Sequence, residues 1–238
     1  MRLYFSSPRY DVIKAVGHKN VLLSFAVNAK KSYQNYIDED VNILIDSGAF
    51  SIYNSGKTVD IEEYYRFIES SPSSWNFISL DVIPPDNPTK KELMKAVDQG
   101  FENYRYLSQL KQKILPTYHY GEPESVLKKY ISITDYICAG PKRGAGQSAD
   151  EYYKMIFKNT TNQIKVHGLA NTSLTSLLKY PFCSVDSISY LKFKVHRDSG
   201  QYWAQGKLDA LLYTSARRWI NIQRQVTKIW NERGITWD

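Results

Sequence analysis

The chain has 238 residues, of which 42% are hydrophobic, and it carries a formal net charge of +7. This length and apolar content suit one domain with a sizeable core, and no apolar run approaches the length of a membrane span. The excess of basic over acidic residues favours a polyanionic partner such as nucleic acid, although many basic proteins bind none. Cys138 and Cys183 lie in apolar runs, which predicts reduced core thiols and a cytoplasmic location.

Short apolar runs alternate with helical patterns in the first half of the chain. Asp60 with Glu63 and Thr89 with Glu92 have the spacing of capping boxes, which open helices. In chain order we predict a strand at 3–5, a helix at 8–16, strands at 21–25 and 42–46, a flexible loop at 54–57, a helix at 61–69, a strand at 77–80, and a helix from Thr89 to Leu110 that Gly100 interrupts.

The second half continues this alternation and then becomes helical. We predict strands at 113–118, 135–139 and 163–167 and a last strand ending at Asp186, with helices at 124–130, from Ser148 to about Phe157, and from Thr172 or Ser173 to Lys179. After Gly200 apolar residues recur at helical spacing, at Trp219, Ile222, Val226, Ile229 and Trp230.

Eight strands, mostly separated by helices, predict an α/β fold of the (β/α)8 TIM-barrel type. We assign residues 1–200 to the catalytic barrel and residues 201–238 to a helical extension packed on it, within a single domain. A doubly wound open sheet is the alternative. It is disfavoured because no Gly-x-Gly-x-x-Gly fingerprint follows the first strand.

Three aspartates, Asp46, Asp81 and Asp186, each close a predicted strand. A helix cap is the ordinary explanation for any one of them, but a parallel barrel gathers strand-end residues at one mouth. Together they suit proton transfer, a carboxylate nucleophile acting on a sugar carbon, or a divalent metal. His119 and His167 also fall at strand ends, and we expect them to line the pocket. We therefore predict no metal and no cofactor.

Glycines and cations follow the sixth predicted strand, in the loop Gly140–Gly146. Exposed backbone amides with Lys142 and Arg143 suit an anion, and the glycines equally suit close approach of a flat base. The other cations that we predict to contact nucleic acid are Lys192, Lys194, Arg197, Arg217, Arg218 and Arg224. The alternative for the last three is a solvated helix face.

The segment Asp46-Ser47-Gly48-Ala49-Phe50 resembles the Asp-Ser-Gly-Gly-aromatic motif of the tRNA-guanine transglycosylase family. The order of later features is also similar: an Asp ending the next strand, a glycine-containing base loop, a hydrophobic-x-Gly strand end and a late Asp. The resemblance spans roughly residues 43–190. It implies a (β/α)8 pentosyltransferase that exchanges guanine for a free 7-deazaguanine, such as a preQ0-type base, without ATP.

The resemblance also implies roles for individual residues. Asp186 corresponds to the nucleophile that attacks C1′ and forms a covalent glycosyl-aspartate, and Asp46 to the acid/base. Asp81 is expected to accept hydrogen bonds from the amino group and ring N–H of the base. The remaining implied base contacts are the N–H of Gly140, the rings of Phe50 and His167 on opposite faces, Gly168 at its strand end, and Tyr118 or His119 in place of a glutamine.

Three features depart from the family pattern. The C-terminal region lacks the Cys-x-Cys-x-x-Cys and His zinc element, residues 187–191 replace Pro-Thr-Arg, and Ala49 replaces the second glycine. A short, zinc-free, basic chain resembles the phage-type deazaguanine transglycosylases that modify DNA. We therefore expect DNA as the substrate, with tRNA as the alternative, in the host cytoplasm. A second copy of the chain, in a homodimer, or a partner subunit would then supply further contacts with nucleic acid.

Two other functions stay open at this stage. One is an N-glycosylase or nucleoside-processing barrel that hydrolyses the glycosidic bond instead of exchanging the base. The other is a non-catalytic nucleic-acid-binding protein that uses the barrel mouth as a base pocket.

Overall fold

The computed structural model describes residues 1–29, 33–37, 40–53, 56–85, 87–140, 146–160, 163–191 and 205–237. Within these residues, every strand pairs in parallel with its neighbours in one sheet. The segments are β1 (Arg2–Ser6), β2 (Asn20–Ser24), β3 (Asn42–Asp46), β4 (Asn76–Ile78), β5 (Lys113–Leu115), β6 (Thr117–His119), β7 (Tyr136–Gly140), β8 (Lys165–Gly168) and β9 (Ser184–Ser187).

The sheet curls into a nearly closed barrel. Its strand order is β5-β4-β3-β2-β1-β9-β8-β7-β6, and only Pro116 separates the two end segments along the chain. The N–H of Ser79 donates to the Leu115 carbonyl at 2.8 Å on one side, and the N–H of Cys138 donates to the Pro116 carbonyl at 2.8 Å on the other. The predicted parallel α/β barrel is therefore confirmed, and the open-sheet alternative is wrong.

The structure divides the sheet into nine strand segments where the sequence predicts eight. The difference lies at Pro116, inside the single strand predicted at 113–118. Proline has no N–H to give to a ladder and is poorly tolerated within a strand, so β5 and β6 pair separately with β4 and β7.

Helices follow most strands. They are α1 (Tyr10–Val16), α2 (Ala49–Tyr53), α3 (Ile61–Glu69), α4 (Lys90–Leu107), α5 (Glu124–Ile131), α6 (Gly146–Thr160), α7 (Leu174–Lys179) and α8 (Gln205–Glu232). A π-helical turn at Phe25–Ala29 and 3-10 turns at Tyr33–Tyr36 and Ser189–Leu191 complete the described elements. The predicted flexible loop at 54–57 lies partly outside the described residues.

Local capping signals place several helix starts correctly. Thr89 forms a complete capping box with Glu92, and the Asp60 side chain accepts from the Glu63 N–H at 2.8 Å. Of the two candidates at the start of α7, Ser173 is the N-cap.

Two local predictions are wrong. Gly100 does not interrupt α4, which runs unbroken to Leu107. A Cβ at Gly100 would lie 3.9 Å from the Val82 nitrogen, so the helix packs closely against the segment after β4, and this packing outweighs the low helix propensity of glycine. Ser148 is not a cap, because α6 begins two residues earlier at Gly146.

Apolar side chains fill two layers. A larger layer lies between the strands and the helices, because successive strand residues face opposite sides of the sheet. The smaller layer lies inside the barrel and consists of Tyr4, Leu22, Leu44, Ile78, Leu115, Tyr136, Cys138 and Cys183. Both cysteines are free and buried, as the sequence predicts.

Helix α8 packs antiparallel to β1. The Leu3 N–H donates to Gln223 Oε1 at 2.8 Å, and the Met1 amino group donates to Thr227 Oγ1 at 3.2 Å. The Trp230 Nε1–H donates to the Leu177 carbonyl at 2.8 Å. The C-terminal half of α8 therefore lies at the barrel end where the strands begin. Of the helices that the structure describes, none is long and apolar enough to span a membrane.

Candidate active site

The barrel register brings strand-end side chains to one mouth. Asp46 lies beside Ser24 across β3 and β2, and Asp186 lies beside Tyr4 across β9 and β1. Tyr4 and Leu44 face the barrel interior, so Ser6 and Asp46, two residues later on the same strands, face it too. The three aspartates Asp46, Asp81 and Asp186 are called the acidic cluster below.

Asp46 is the member of the acidic cluster whose pKa is raised. Burial and then the charges of Asp81 and Asp186 raise the pKa of its carboxyl, N–H groups of Gly48 and Ser47 partly oppose the shift, and the resulting pKa is about 7. This electrostatic coupling shows that the three carboxylates lie near one another. A carboxyl group with a pKa near neutrality can both give and take a proton.

Asp186 has the opposite environment. It is 7% exposed, and Ser6 Oγ donates to its Oδ2 at 2.6 Å. The Ala170 N–H donates to Oδ1 at 2.8 Å, and His167 Nε2 lies 3.3 Å from the same oxygen. Hydrogen-bond donors favour the ionised form of a carboxylate and fix its orientation. Asp186 is therefore suited to act as a nucleophile.

His167 lies behind Asp186 in the barrel interior. Its ring has no exposed surface, and its Nδ1 lies 2.6 Å from Ser184 Oγ, which lies 2.6 Å from the Tyr136 hydroxyl. When Ser184 donates to Nδ1, the remaining ring proton is on Nε2 and faces Asp186. The structure thus places His167 as a support for Asp186, whereas the sequence predicts a ring on one face of a bound base.

His119 lies between the carboxylates of Asp81 and Glu122 and contacts both. His119 Nε2 lies 2.7 Å from Asp81 Oδ2, and His119 Nδ1 lies 3.1 Å from Glu122 Oε1. Burial alone would lower the pKa of His119, but the hydrogen bonds and charges of Asp81 and Glu122 raise it to about 10. The imidazole is therefore a cation at neutral pH.

Tyr118, the other residue predicted at this position, lies in a different layer. It is fully buried, its ring stacks on Tyr152 with centroids 5.6 Å apart, and its hydroxyl donates to the Glu122 carbonyl at 2.7 Å. Of the two candidates, His119 is the one that contacts the acidic cluster.

Steric crowding requires glycine at position 48 of the Asp-Ser-Gly motif. Gly48 has φ +79°, and a Cβ there would lie 2.4 Å from Ser24 Oγ and 2.8 Å from the Ala26 Cβ. Only glycine fits this turn between β3 and α2. On α2, the side chain of Phe50 is 44% exposed and is accessible to a planar ligand.

The two glycines predicted to contact the base also have structural roles. A Cβ at Gly168 would lie 2.9 Å from Phe182 Cε1, so glycine is needed for packing on the outer face of the sheet. A Cβ at Gly140 would lie 3.1 Å from His119 Cδ2. The Gly140 carbonyl accepts from the Tyr120 N–H at 3.0 Å.

The predicted nucleic-acid cations are only partly described. Arg217, Arg218 and Arg224 are exposed on α8, but Arg224 lines a shallow cavity with Met1, at the barrel end opposite the acidic cluster. The predicted contacts Lys142, Arg143, Lys192, Lys194 and Arg197 lie outside the described residues.

Sequence reasoning missed several residues that support the acidic cluster. Ser6 ends the first strand, and a strand-end position was the signal that could have identified it. Glu122 stands three residues after His119, a spacing that suits a contact across a tight turn. The Ala170 N–H has no sequence signal, since any residue supplies a backbone donor.

No group of three or more His, Cys, Asp or Glu side chains in the described part of the chain is arranged to hold a metal ion. Comparison with models of known protein families finds no match to this chain, and comparison with curated proteins finds no relative. The barrel and the chemistry of the acidic cluster are therefore the features that bear on function.

Proposed function

We propose that this protein is a transglycosylase that exchanges guanine in DNA for a free 7-deazaguanine base of the preQ0 type. The observation that carries the proposal is the contrast between two carboxylates at one barrel mouth. Asp186 accepts hydrogen bonds from Ser6 and the Ala170 N–H, whereas the pKa of Asp46 is raised to about 7. Glycosyl transfer through a covalent intermediate requires one carboxylate of each kind.

The barrel also supports the proposal. Counting β5 and β6 as one strand interrupted at Pro116 gives eight strands, the number in the barrel of the transglycosylases that the sequence resembles. Asp46 ends the third of these strands, Asp81 follows the fourth by three residues, and Asp186 lies in the last, which is the order that the resemblance implies.

In the first step, an ionised oxygen of Asp186 attacks C1′ of the target nucleotide. The C1′–N9 bond breaks, its electron pair moves to the departing guanine, and the protonated Asp46 gives its proton to that base. The glycosyl–Asp186 ester keeps the polynucleotide strand intact while the bases exchange.

In the second step, Asp46 takes the N9 proton of the incoming 7-deazaguanine and N9 attacks C1′. The C1′–O bond breaks, and its electron pair returns to Asp186 as a carboxylate. Each displacement inverts C1′, so the original configuration is restored. One glycosidic bond replaces another, and no ATP is needed.

The base would be held by groups around the acidic cluster. Asp81 would accept from the amino group and ring N–H of the base, and Phe50 would cover one face. The Gly140 N–H would donate to the base carbonyl, as the resemblance implies. The target nucleotide must leave its stack, which costs a few kcal/mol in a duplex and less in a loop or single strand.

Hydrolysis is the second candidate function. A group with a pKa of about 7, as at Asp46, also suits removal of a proton from water that attacks the glycosyl–Asp186 ester. An N-glycosylase would then release the base without replacing it.

Labelled guanine and a labelled preQ0-type base test the proposal, each incubated without ATP or added metal with duplex DNA, single-stranded DNA or tRNA. We expect label to enter DNA, and Asp186→Ala to reduce incorporation by at least about 10³-fold because the nucleophile is lost. Asp98→Ala, on the exposed surface of α4, is the matched control and should keep full activity.

The other possible results of this assay would each indicate a different function or substrate. Incorporation that survives Asp186→Ala removes this residue from its role, and label in tRNA alone identifies tRNA as the substrate. Base release without incorporation favours the N-glycosylase. Nucleic-acid binding without either reaction favours a non-catalytic binding protein.

A further inference from the structure

We propose that Glu122 and His119 form a positioning pair that holds Asp81 in the orientation in which it binds the base. The inference deepens the proposed function and rests on it, because it assigns the source of base selectivity. Neither residue reaches the reacting atoms in this assignment, and both act through Asp81.

The hydrogen-bond pattern sets the charge of the histidine. When both carboxylates are in the ionised form they only accept, and then the nitrogen 2.7 Å from Asp81 Oδ2 and the nitrogen 3.1 Å from Glu122 Oε1 both donate. The ring of His119 is consequently an imidazolium bridging two carboxylates, in agreement with its raised pKa. A neutral imidazole could satisfy only one of them.

Glu122 is placed at an energetic cost. Its side chain is 7% exposed, and its Oε2 has no hydrogen-bond partner among the described residues. A buried carboxylate with one unpaired oxygen destabilises a fold unless a nearby charge compensates. The compensating charge here is His119, which indicates that the pair is maintained for its effect on Asp81.

The pair determines what Asp81 can offer to a ligand. His119 Nε2 lies against Oδ2 and fixes the orientation of the Asp81 carboxyl group. Oδ1 and the second lone pair of Oδ2 are then left to accept the two hydrogen bonds from a base. A fixed, ionised acceptor selects bases with an exocyclic amine beside a ring N–H, such as guanine, over hypoxanthine, which lacks the amine.

The first test requires no ligand. Nitrogen-15 NMR of the histidine rings in the full chain, with His119 assigned by His119→Gln, reports protonation of both ring nitrogens. We expect the wild-type ring to be doubly protonated at pH 8 and the Glu122→Gln ring to lose its charge at a lower pH. A neutral wild-type ring at pH 8 would overturn the inference.

The second test measures equilibrium binding of free guanine and hypoxanthine. Glu122→Gln should weaken guanine binding by about tenfold, because His119 no longer fixes the orientation of the Asp81 carboxylate. The ratio of the affinities for guanine and hypoxanthine should also decrease. The thermal unfolding temperature of this variant should be unchanged or higher, because the glutamine carbonyl can keep the hydrogen bond to His119 Nδ1 while the buried oxygen Oε2, which has no partner among the described residues, loses its charge. Glu69→Gln, the same change on an exposed residue at the end of α3, should alter neither quantity.

The outcomes separate the two proposals. If the wild type binds guanine and Glu122→Gln binds it equally well and selectively, the positioning pair is wrong and the transglycosylase proposal stands. If the wild type binds no guanine, the base site itself is wrong, and the positioning role fails with it. Loss of binding together with a lowered unfolding temperature would mark Glu122 as structural and overturn its assigned role.

Discussion

Two aspartates of identical chemistry differ here because of the atoms around them. Asp186 receives hydrogen bonds from Ser6 and the Ala170 N–H, with His167 beside it, while Asp46 is withdrawn from water near other negative charges. The first environment fixes the orientation of a carboxyl group, and the second favours its protonated form. This difference suits the proposed roles of nucleophile for Asp186 and proton carrier for Asp46.

The raised pKa of Asp46 makes the stability of the protein depend on pH. Its pKa is about 7 in the folded protein and near 3.8 when unfolded, so the unfolded chain loses this proton first as pH rises. The destabilisation is absent below pH 3.8, grows between about pH 4 and pH 7, and then stays constant. Asp46→Asn should therefore raise the unfolding temperature more at pH 8 than at pH 5, by about 4 °C or more at pH 8.

Denaturation monitored by circular dichroism at the two pH values checks this expectation. Asp98→Asn, on the surface of α4, provides the matched control. Equal gains at pH 5 and pH 8 would show that the Asp46 carboxyl is not destabilised by its surroundings.

At the scale of elements, the turn from β3 into α2 depends on one glycine. Gly48 combines a left-handed backbone with contacts too close for any Cβ, and it directly follows Asp46 and Ser47. The motif that resembles the transglycosylase signature is therefore also a steric requirement of this strand end.

Gly48→Ala should destabilise the protein by about 3 kcal/mol and remove most activity, because strain and overpacking both act beside Asp46. Gly17→Ala is the control, since Gly17 has φ +63° but open space around its Cα. It should cost about 1 kcal/mol, from backbone strain alone. Chemical denaturation of both variants gives the difference, and equal losses would contradict the crowding argument.

Helix starts were predictable where side chains cap their own backbone, as at Asp60, Thr89 and Ser173. These interactions are local and leave a sequence pattern three residues long. The break predicted at Gly100 was wrong because the packing of α4 against the segment after β4 is a long-range interaction that overrides propensity.

At the scale of the molecule, the barrel separates two ends with different roles. The acidic cluster lies where the strands finish, and the C-terminal half of α8 lies where they start. This polarity is general in parallel barrels, whose active sites occupy the carboxyl ends of the strands.

The two ends give different expectations for the α8 arginines. Arg224→Ala should leave DNA affinity and its salt dependence unchanged, because Arg224 lies beside Met1 at the opposite end. If Arg217 and Arg218 bind phosphates, their joint replacement by alanine should weaken binding and reduce the salt slope by about 1–2. Fluorescence anisotropy with labelled single-stranded DNA at several salt concentrations measures both. Equal losses of DNA affinity in the Arg224 variant and in the double variant would contradict binding of DNA at the barrel mouth.

The sequence by itself determined the parallel barrel, the capped helices and the three aspartates at strand ends. Those features follow from residue periodicity and short-range hydrogen bonding. Only the tertiary structure decided that His167 supports Asp186, that His119 reaches Asp81 and that Glu122 holds His119. Such contacts join residues on different strands and turns, and their protonation depends on burial and neighbouring charge, which barrel closure creates and a linear pattern does not contain.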